Sequence, residues 1–305
     1  MGHGKLRKFA ENETFSCLLQ PSAEQVLANG YQNLSDHPVK GRWIETMFGG
    51  HAGDIILELG CGKGEYTLEL ARRNPDKNYI GVDIKGARLW RGAKTATEEG
   101  LRNVAFLRTR IEFIGAFFGP DEVSEIWLTF SDPQLKSSPN KRLSSPMFLE
   151  RYRHFLKPGG LIHLKTDSRF LYEYTLAVAT VNHLRVFAAC TDIYGWDGSP
   201  SEPVTAAPSS LPSGDGPLPL TLPRVARLSE GEPSQPDTGI RTVRSEVCEV
   251  QTFYESMFLK MGLPITYLEF CPDHDGPYAD PRDPEDFDSA AWRAFEGPRR
   301  SFSHR

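Results

Sequence analysis

The sequence predicts an α/β fold in which a mostly parallel sheet of seven strands carries helices on both faces. From residue 54 to residue 190, short apolar runs of strand length alternate with segments of about ten residues whose apolar side chains recur at helical spacing. Strands that alternate with helices in this way form right-handed β-α-β units and hence a parallel sheet. A chain of 305 residues is long enough to bury a sizeable core in one such domain.

The predicted strands are runs of apolar residues bounded by residues that favour turns. The first of them, Ile55–Leu59, stops at Gly60, and the fourth is rich in β-favouring side chains. A turn at 157–160 is expected before the fifth. In chain order, the seven strands cover 55–59, 78–83, 104–107, 125–130, 161–166, 184–189 and 264–270.

The predicted helices have recognisable ends. Gly100 closes the second helix, Pro146 lies in the first turn of the fourth, Ser168 caps the fifth, and Gly262 follows the last. In chain order, the six helices cover 65–74, 87–99, 111–118, 146–156, 168–182 and 245–261.

Three further segments flank or interrupt the predicted domain, which covers residues 51–270. We expect residues 1–50 to form an N-terminal extension, with basic residues Lys5, Arg7 and Lys8 near its start, and a helical segment. Within residues 197–240, 21 of 44 positions are Pro, Gly or Ser, a composition that predicts a disordered insertion. The acidic residues 271–305 are expected to form a disordered tail.

Composition narrows the class of protein. No run approaches 18 apolar residues, so the sequence predicts neither a membrane-spanning helix nor a membrane partner. The five cysteines are widely spaced without a CxxC pair, which indicates neither a disulfide framework nor a zinc site. We therefore expect a soluble, cytoplasmic protein. The net charge is −5 overall but +4 over residues 1–190, which leaves a nucleic-acid partner open for that part.

A glycine-rich loop runs from Glu58 to Gly64, between the first predicted strand and the first predicted helix. Gly60, Gly62 and Gly64 would let a ligand approach the backbone beside a helix N-terminus. The Lys-Ser/Thr pair of a P-loop is absent. A dinucleotide site, with Asp83 about 20 residues on, and a ligand-free turn stay open as alternatives. The acid Glu58 is better explained by a cationic ligand, which favours S-adenosylmethionine with Asp83 on its ribose hydroxyls.

A second loop, residues 130–136, follows the fourth predicted strand. Because ligands bind beyond the carboxyl ends of parallel strands, we expect this loop and the glycine loop to share one rim. Asp132 before Pro133 is a turn-prone carboxylate, and Asp167 after the fifth strand is expected at the same rim. Basic residues nearby suit a polyanionic substrate, although an ordinary loop with a solvated helix is the alternative. These basic residues are Lys136, Lys141, Arg142, Arg151 and Arg153.

These blocks, in this order, resemble the bacterial tRNA (guanine-N7)-methyltransferase family. The resemblance extends from about residue 5 to residue 270, apart from the insertion, and it includes both loops. The further matching blocks are Arg7–Asn12, Gly81–Asp83, Lys157–Gly160, His163–Asp167 and Thr252–Glu255. Where the family usually has Phe-Pro-Asp-Pro-Trp, this chain has Ser131 in place of the first proline and Gln134 in place of the tryptophan.

The resemblance implies a fold, a cosubstrate and a role for each site residue. It implies a Rossmann-like class I methyltransferase that uses S-adenosylmethionine, needs no metal and acts on a variable-loop guanine of tRNA without an obligatory protein partner. Asp132 would be the catalytic carboxylate. The residues at the S-adenosylmethionine site would be Glu58, Gly60, Gly62, Gly64, Asp83, Arg110 and Asp132. The residues that hold the tRNA and its target guanine would be Lys136, Asp167, Thr252, Phe253, Tyr254 and Glu255.

The implied chemistry requires positioning more than proton transfer. Guanine N7 has a lone pair and no proton, so attack on a sulfonium methyl needs no general base. Asp132 would stabilise the positive charge that shifts to the guanine ring. Three alternatives stay open: another S-adenosylmethionine-dependent RNA methyltransferase, such as one acting on an adenine amine, a catalytically silent tRNA-binding protein, and an NAD oxidoreductase.

Overall fold

The computed structural model describes residues 3–195 and 247–301, which divide into two compact units. The first unit comprises Met1–Thr129 and Arg151–Gly160, and the second comprises Phe130–Glu150 and Leu161–Arg305. The predicted insertion at 197–240 lies outside the described residues.

Eight strands are found in the described part of the chain, one more than the sequence predicts. The additional strand is β1, whose two residues are too few to show an apolar pattern. The turn predicted at 157–160 lies inside β6, where Gly159 has a φ of 73°. The strands are β1 Leu18–Leu19, β2 Ile55–Leu59, β3 Asn78–Asp83, β4 Val104–Arg108, β5 Val123–Thr129, β6 Leu156–Thr166, β7 Arg185–Cys190 and β8 Thr266–Cys271.

The strand order confirms the predicted α/β fold with a mostly parallel sheet. In the first unit the order is β1-β4-β3-β2-β5-β6, and in the second it is β6-β8-β7. Strands β1 to β4 pair in parallel, as do β2 and β5, whereas β8 is antiparallel to both β6 and β7. Because β2 lies between β3 and β5, the strand order reverses at β2, the position where Rossmann-like sheets bind ligands.

The helices lie between the strands as predicted, with ends that differ by a few residues. The helix predicted over 245–261 is the shorter α8, which begins at Phe253 because Thr252 provides a capping box. The segment predicted as a helix at 111–118 is a 3-10 helix, Ile111–Ala116. In residues 3–195 and 247–301, no helix is long and apolar enough to cross a membrane. The α-helices are α1 His3–Asn12, α2 Ala23–Val26, α3 Trp43–Met47, α4 Glu65–Arg73, α5 Gly86–Glu99, α6 Pro146–Arg153, α7 Arg169–Val181, α8 Phe253–Lys260 and α9 Ser289–Ser301.

The C-terminal segment differs from the expectation of a disordered tail at 271–305. Phe287 is buried and packs edge-on against Phe170 of α7, with ring centroids 5.3 Å apart. Glu296 in α9 accepts hydrogen bonds from the hydroxyl of Ser168 and, at 2.6 Å, from the amide of Phe170. A few contacts therefore fix this segment to α7, and its acidic composition does not predict them.

Candidate active site

The glycine loop leads from β2 into α4 in the first unit. Gly60, Gly62 and Gly64 have φ values of 82°, 60° and 73°, in the left-handed region that glycine adopts without steric cost. A Cβ at Gly60 or Gly62 would meet nothing within 4 Å, so open space lies beside both residues. At Gly64 a Cβ would lie 2.5 Å from the ring of Phe106, so this glycine allows the loop to pack against β4.

Asp83, the last residue of β3, holds the glycine loop through its carboxylate. Oδ2 accepts a hydrogen bond from the amide of Gly62 at 3.0 Å, and Oδ1 accepts one from the amide of Lys85 at 2.7 Å. The structure therefore brings Asp83 and the loop into direct contact. A carboxylate has about four acceptor sites, so Asp83 retains the capacity to bind further donors.

Glu58 lies in β2 with 4% of its surface exposed. Its carboxylate accepts hydrogen bonds from the amide of Thr67, at 2.9 Å, and from the hydroxyls of Thr67 and Thr129. Burial raises the pKa of Glu58 to about 7, against the opposing effect of these hydrogen bonds. Glu58, where the glycine loop begins, thereby joins the first turn of α4 to the end of β5.

Arg110 follows β4, the neighbour of β3, and precedes the 3-10 helix. Its side chain is exposed, and its guanidinium lies 3.4 Å from the carboxylate of Glu112 and 5.6 Å from the ring centroid of Phe113. Its backbone is extended, with φ −76° and ψ 136°. The side chain is thus engaged locally, while the main chain lies beyond the carboxyl end of β4.

The Asp132 loop, residues 130–136, begins the second unit. Phe130 and Gln134 have φ values of 48° and 53°, which are unfavourable for residues with a Cβ. Asp132 is exposed, and its Oδ1 accepts a hydrogen bond from the amide of Gln134 at 2.9 Å. The amide of Phe130 donates to the carbonyl of Lys165 at 2.8 Å, and its ring stacks on Phe258. These contacts fix the loop and leave the Asp132 carboxylate at the surface.

Arg142 is buried, although the sequence groups it with basic residues for a polyanionic substrate. It is 1% exposed, and its guanidinium lies 4.7 Å and 4.3 Å from the ring centroids of Phe170 and Tyr174. Its Nε donates to the carbonyl of Pro133 at 3.2 Å. Burial lowers the pKa of Arg142, but a guanidinium stays protonated. Arg142 therefore supports the backbone of the Asp132 loop from inside the unit, whereas Lys136 is exposed.

The remaining candidate residues also belong to the second unit. Asp167 directly follows β6 and is half-buried. Thr252 caps α8: its hydroxyl accepts from the amide of Glu255 at 3.2 Å, and its own amide donates to the Glu255 carboxylate at 3.3 Å. Phe253 and Tyr254 are 57% and 49% exposed, whereas Glu255 has no exposed surface. The four residues of this block therefore present aromatic rings to solvent and keep their acid inside.

Each unit holds one part of the predicted site. The sequence does not predict the organising role of several further residues, because their importance comes from burial and from partners distant in the chain. The first unit holds Glu58, the glycine loop, Asp83 and Arg110, and the second holds Asp132, Lys136, Asp167 and Thr252–Glu255. The organising residues are Thr67, Thr129, Arg142, Lys165 and Tyr194. In the described ranges, no cluster of His, Cys, Asp and Glu residues could hold a metal ion.

Known proteins resemble the chain over nearly its whole length. Residues 52–196 match a protein family described as "Putative methyltransferase". A tRNA (guanine-N(7)-)-methyltransferase of Christiangramia forsetii is 45% identical over 267 residues, which cover 87% of this chain and 96% of that protein. Proteins of the same name from Bacteroides thetaiotaomicron and Bacteroides fragilis are 39% and 37% identical, covering 92% and 99% of this chain and 90% and 98% of their own lengths.

Proposed function

The chain belongs to the tRNA (guanine-N(7)-)-methyltransferase family, and we propose a role in that reaction for each of its site residues. It is an S-adenosylmethionine-dependent methyltransferase that acts on N7 of a guanine in tRNA. The observation that carries this conclusion is the 45% identity to a relative of that name over 96% of the relative's length. We further propose, from the resemblance of the sequence blocks, that the target guanine lies in the variable loop.

The residues of the first unit fit S-adenosylmethionine. The open space beside Gly60 and Gly62 allows a ligand to approach the backbone where a Cβ would otherwise project. Asp83 has acceptor capacity for ribose hydroxyls, and Glu58 supplies acidic character near a ligand that carries an ammonium and a sulfonium but no phosphate. When bound, S-adenosylmethionine supplies a methyl group on a positively charged sulfur. Because the Arg110 side chain is engaged by Glu112, we propose that Arg110 contributes through its backbone.

Guanine chemistry defines the task of the Asp132 loop. Since N7 carries a lone pair and no proton, no side chain has to remove a proton from it. The chain must hold the guanine in line, which can contribute roughly 7–11 kcal/mol at most, and must stabilise the positive charge that develops on the ring. Asp132 is our proposed catalytic residue, because its exposed carboxylate is already oriented by the amide of Gln134.

Exposed groups of the second unit are the proposed tRNA contacts. Lys136, four residues after Asp132, is exposed, and its positive charge suits contact with a tRNA phosphate. Phe253 and Tyr254 suit unstacked bases, since proteins recognise single-stranded RNA largely by stacking aromatic side chains on splayed bases. Asp167 and Thr252 are the other proposed contacts implied by the resemblance. Glu255 belongs to the same implied set but has no exposed surface.

The cellular setting and the domain organisation are further proposals. We propose, from the resemblance to the family, that the enzyme works in the cytoplasm and needs no obligatory protein partner. We also propose that residues 51–270 form the methyltransferase domain, with 1–50 as an N-terminal extension, 197–240 as an insertion and 271–305 as a C-terminal tail.

Methyl transfer to unmodified tRNA transcript tests the function directly. Labelled S-adenosylmethionine is incubated with the enzyme and transcript, and the product is digested for nucleoside analysis. We expect 7-methylguanosine, and we expect it to disappear when the variable-loop guanine of the transcript is replaced by adenine. A different methylated nucleoside would redirect the specificity to another RNA methyltransferase. Binding of tRNA and S-adenosylmethionine without transfer would indicate a silent tRNA-binding protein.

A further inference from the structure

Lys165 is a fully buried cation near the end of β6, in the second unit. Its Nζ lies 2.7 Å from Oε1 of Glu255 and donates to the carbonyls of Val247 and Val250 at 2.5 Å and 2.9 Å. An ammonium has three donors, and these three partners use all of them. A buried charge is costly unless it is paired and hydrogen-bonded, so the ammonium favours the one geometry that satisfies it.

Glu255 has no exposed surface either, and both of its oxygens face protein groups. Oε1 accepts a hydrogen bond from the hydroxyl of Tyr194 at 2.7 Å, in addition to its pairing with Lys165. Oε2 accepts from the amide of Thr252 at 3.3 Å. A carboxylate enclosed in this way is not placed to contact a base of the tRNA.

Tyr194, which is half-buried, is the third member of this group. Its hydroxyl lies 2.7 Å from Glu255 and 3.3 Å from the carbonyl of Cys248. Burial, reinforced by the neighbouring Glu255 carboxylate, raises the pKa of Tyr194, so the hydroxyl remains a donor. Lys165 and Tyr194 thus hold the same segment, residues 247–255, from two separate parts of the chain.

We propose that the buried pair Lys165 and Glu255, together with Tyr194, forms a clamp in which Glu255 is a positioning residue and not a contact to the tRNA. The proposal rests on the proposed function, because it concerns the block assigned to the substrate. The clamp fixes the main chain that leads into α8 and, through the capping box, the first turn of that helix. This turn carries Phe253 and Tyr254, whose rings lie 5.8 Å apart and are exposed. Glu255 therefore acts on tRNA through the placement of these two aromatic residues.

A double-mutant cycle distinguishes a clamp from a direct contact. We measure the dissociation constants for tRNA and for S-adenosylmethionine with Lys165→Met, Glu255→Gln and the double variant. For a clamp, Glu255→Gln weakens tRNA binding about tenfold in the native background but by less than about twofold on top of Lys165→Met. An equal loss in both backgrounds would mean that Glu255 contacts the tRNA, and the clamp would be abandoned. Affinity for S-adenosylmethionine is expected to stay within about twofold throughout.

Two further variants guard against a general loss of structure. Tyr194→Phe removes one hydroxyl and is expected to weaken tRNA binding about fivefold, the scale of one typical hydrogen bond. Unchanged tRNA affinity in Tyr194→Phe would overturn the clamp even if Lys165→Met fails to fold. The matched control is Lys157→Met, since Lys157 also lies in β6 and pairs with a carboxylate, Asp54, at 2.6 Å, but is 42% exposed at the opposite end of the strand. It should bind tRNA like the native enzyme.

The clamp and the proposed function fail in distinguishable ways. If the native enzyme forms no 7-methylguanosine, the function is wrong. If the native enzyme is active and the losses of Lys165→Met and Glu255→Gln are independent, only the clamp is wrong. Phe253→Ala tests whether the clamp acts through the aromatic residues. It should weaken tRNA binding in the native background. It should add little to the loss in Lys165→Met, because Phe253 is already misplaced in that variant.

Discussion

The glycine loop and the Asp132 loop both turn through left-handed backbone, but they are held there by different chemistry. In the glycine loop the positive φ values belong to glycines, and the carboxylate of Asp83 accepts a backbone N–H. In the Asp132 loop they belong to Phe130 and Gln134, and the buried guanidinium of Arg142 donates to a backbone carbonyl. The first conformation is inherent in its residue types, whereas the second depends on support from outside the loop.

This difference predicts where each loop is vulnerable. A non-glycine residue held in a sparsely populated backbone region costs on the order of 1–3 kcal/mol, and it persists only where its surroundings fix it. Phe130 is fixed by its amide bond to the carbonyl of Lys165 and by its stacking on Phe258. We therefore expect the glycine loop to be sensitive to substitutions within it, and the Asp132 loop to substitutions behind it.

The largest effect is expected from Asp132→Asn. Asparagine keeps the oxygen that accepts from the Gln134 amide, so the variant removes the charge while preserving the turn. We expect kcat to fall about 100- to 1,000-fold, the scale of losing one preorganised electrostatic contact, with S-adenosylmethionine affinity retained. Steady-state methyl transfer and a titration with the cosubstrate measure both quantities.

Asp121→Asn is the matched control for Asp132→Asn. Asp121 is also exposed and also has a positive φ, 55°, but no role in the site is assigned to it. Its turnover should equal that of the native enzyme. If Asp132→Asn turns over as fast as Asp121→Asn, the catalytic assignment of Asp132 is wrong.

Gly64→Ala tests the glycine loop from within. The new Cβ would lie 2.5 Å from the Phe106 ring at a φ of 73°, so strain and overpacking combine and unfolding stability should fall by about 2–4 kcal/mol. Gly62→Ala has the strain without the clash and should cost only about 1–2 kcal/mol, but it should weaken S-adenosylmethionine binding because its Cβ enters the open space. Urea unfolding and a cosubstrate titration separate the two. Equal destabilisation would contradict the packing argument.

Arg142→Met tests the Asp132 loop from behind. It removes the guanidinium that bonds the carbonyl of Pro133, and we expect kcat to fall about 10- to 50-fold, on the scale of a hydrogen bond to a charged group, because the carboxylate is less well placed. The comparison variant is Lys141→Met, which removes an exposed neighbouring cation. If Arg142 bound tRNA phosphates, both variants would weaken tRNA affinity and reduce its salt dependence in the same way. Support of the loop instead predicts a loss in kcat for Arg142→Met alone.

The sequence predicts those parts of the molecule that depend on local pattern. Apolar runs and helix caps predicted the sheet and its helices. The hydroxyl of Ser168, for example, accepts a hydrogen bond from the amide of Leu171 at the start of α7. What it could not predict depends on burial and on distant partners. Arg142 stands in a basic run that reads as a solvent-exposed surface, yet it is enclosed by Phe170 and Tyr174. The contacts of the C-terminal segment with α7 could not be predicted for the same reason, since they also join buried residues that are distant in the chain.

The smallest expected effect concerns Glu58 in β2, the strand that leads into the glycine loop. Burial raises the pKa of Glu58 from 4.5 to about 7, so the folded state holds this proton more tightly than the unfolded chain does. The resulting stabilisation is fully present below pH 4.5 and is lost as the pH rises through 7. Between pH 6 and pH 8 the loss amounts to about 1 kcal/mol.

Glu58→Gln removes this proton and should flatten the corresponding part of the stability profile. Glutamine can still accept from Thr67 through its amide oxygen and can donate to the hydroxyl of Thr129 through its amide nitrogen, so the strand and α4 stay joined. Unfolding free energies measured at pH 6 and pH 8 should therefore differ by about 1 kcal/mol less in the variant than in the native protein. An equal change in unfolding free energy between pH 6 and pH 8 in both proteins would mean that Glu58 is ionised over this whole range. A buried charge would then support the glycine loop, just as Arg142 supports the Asp132 loop.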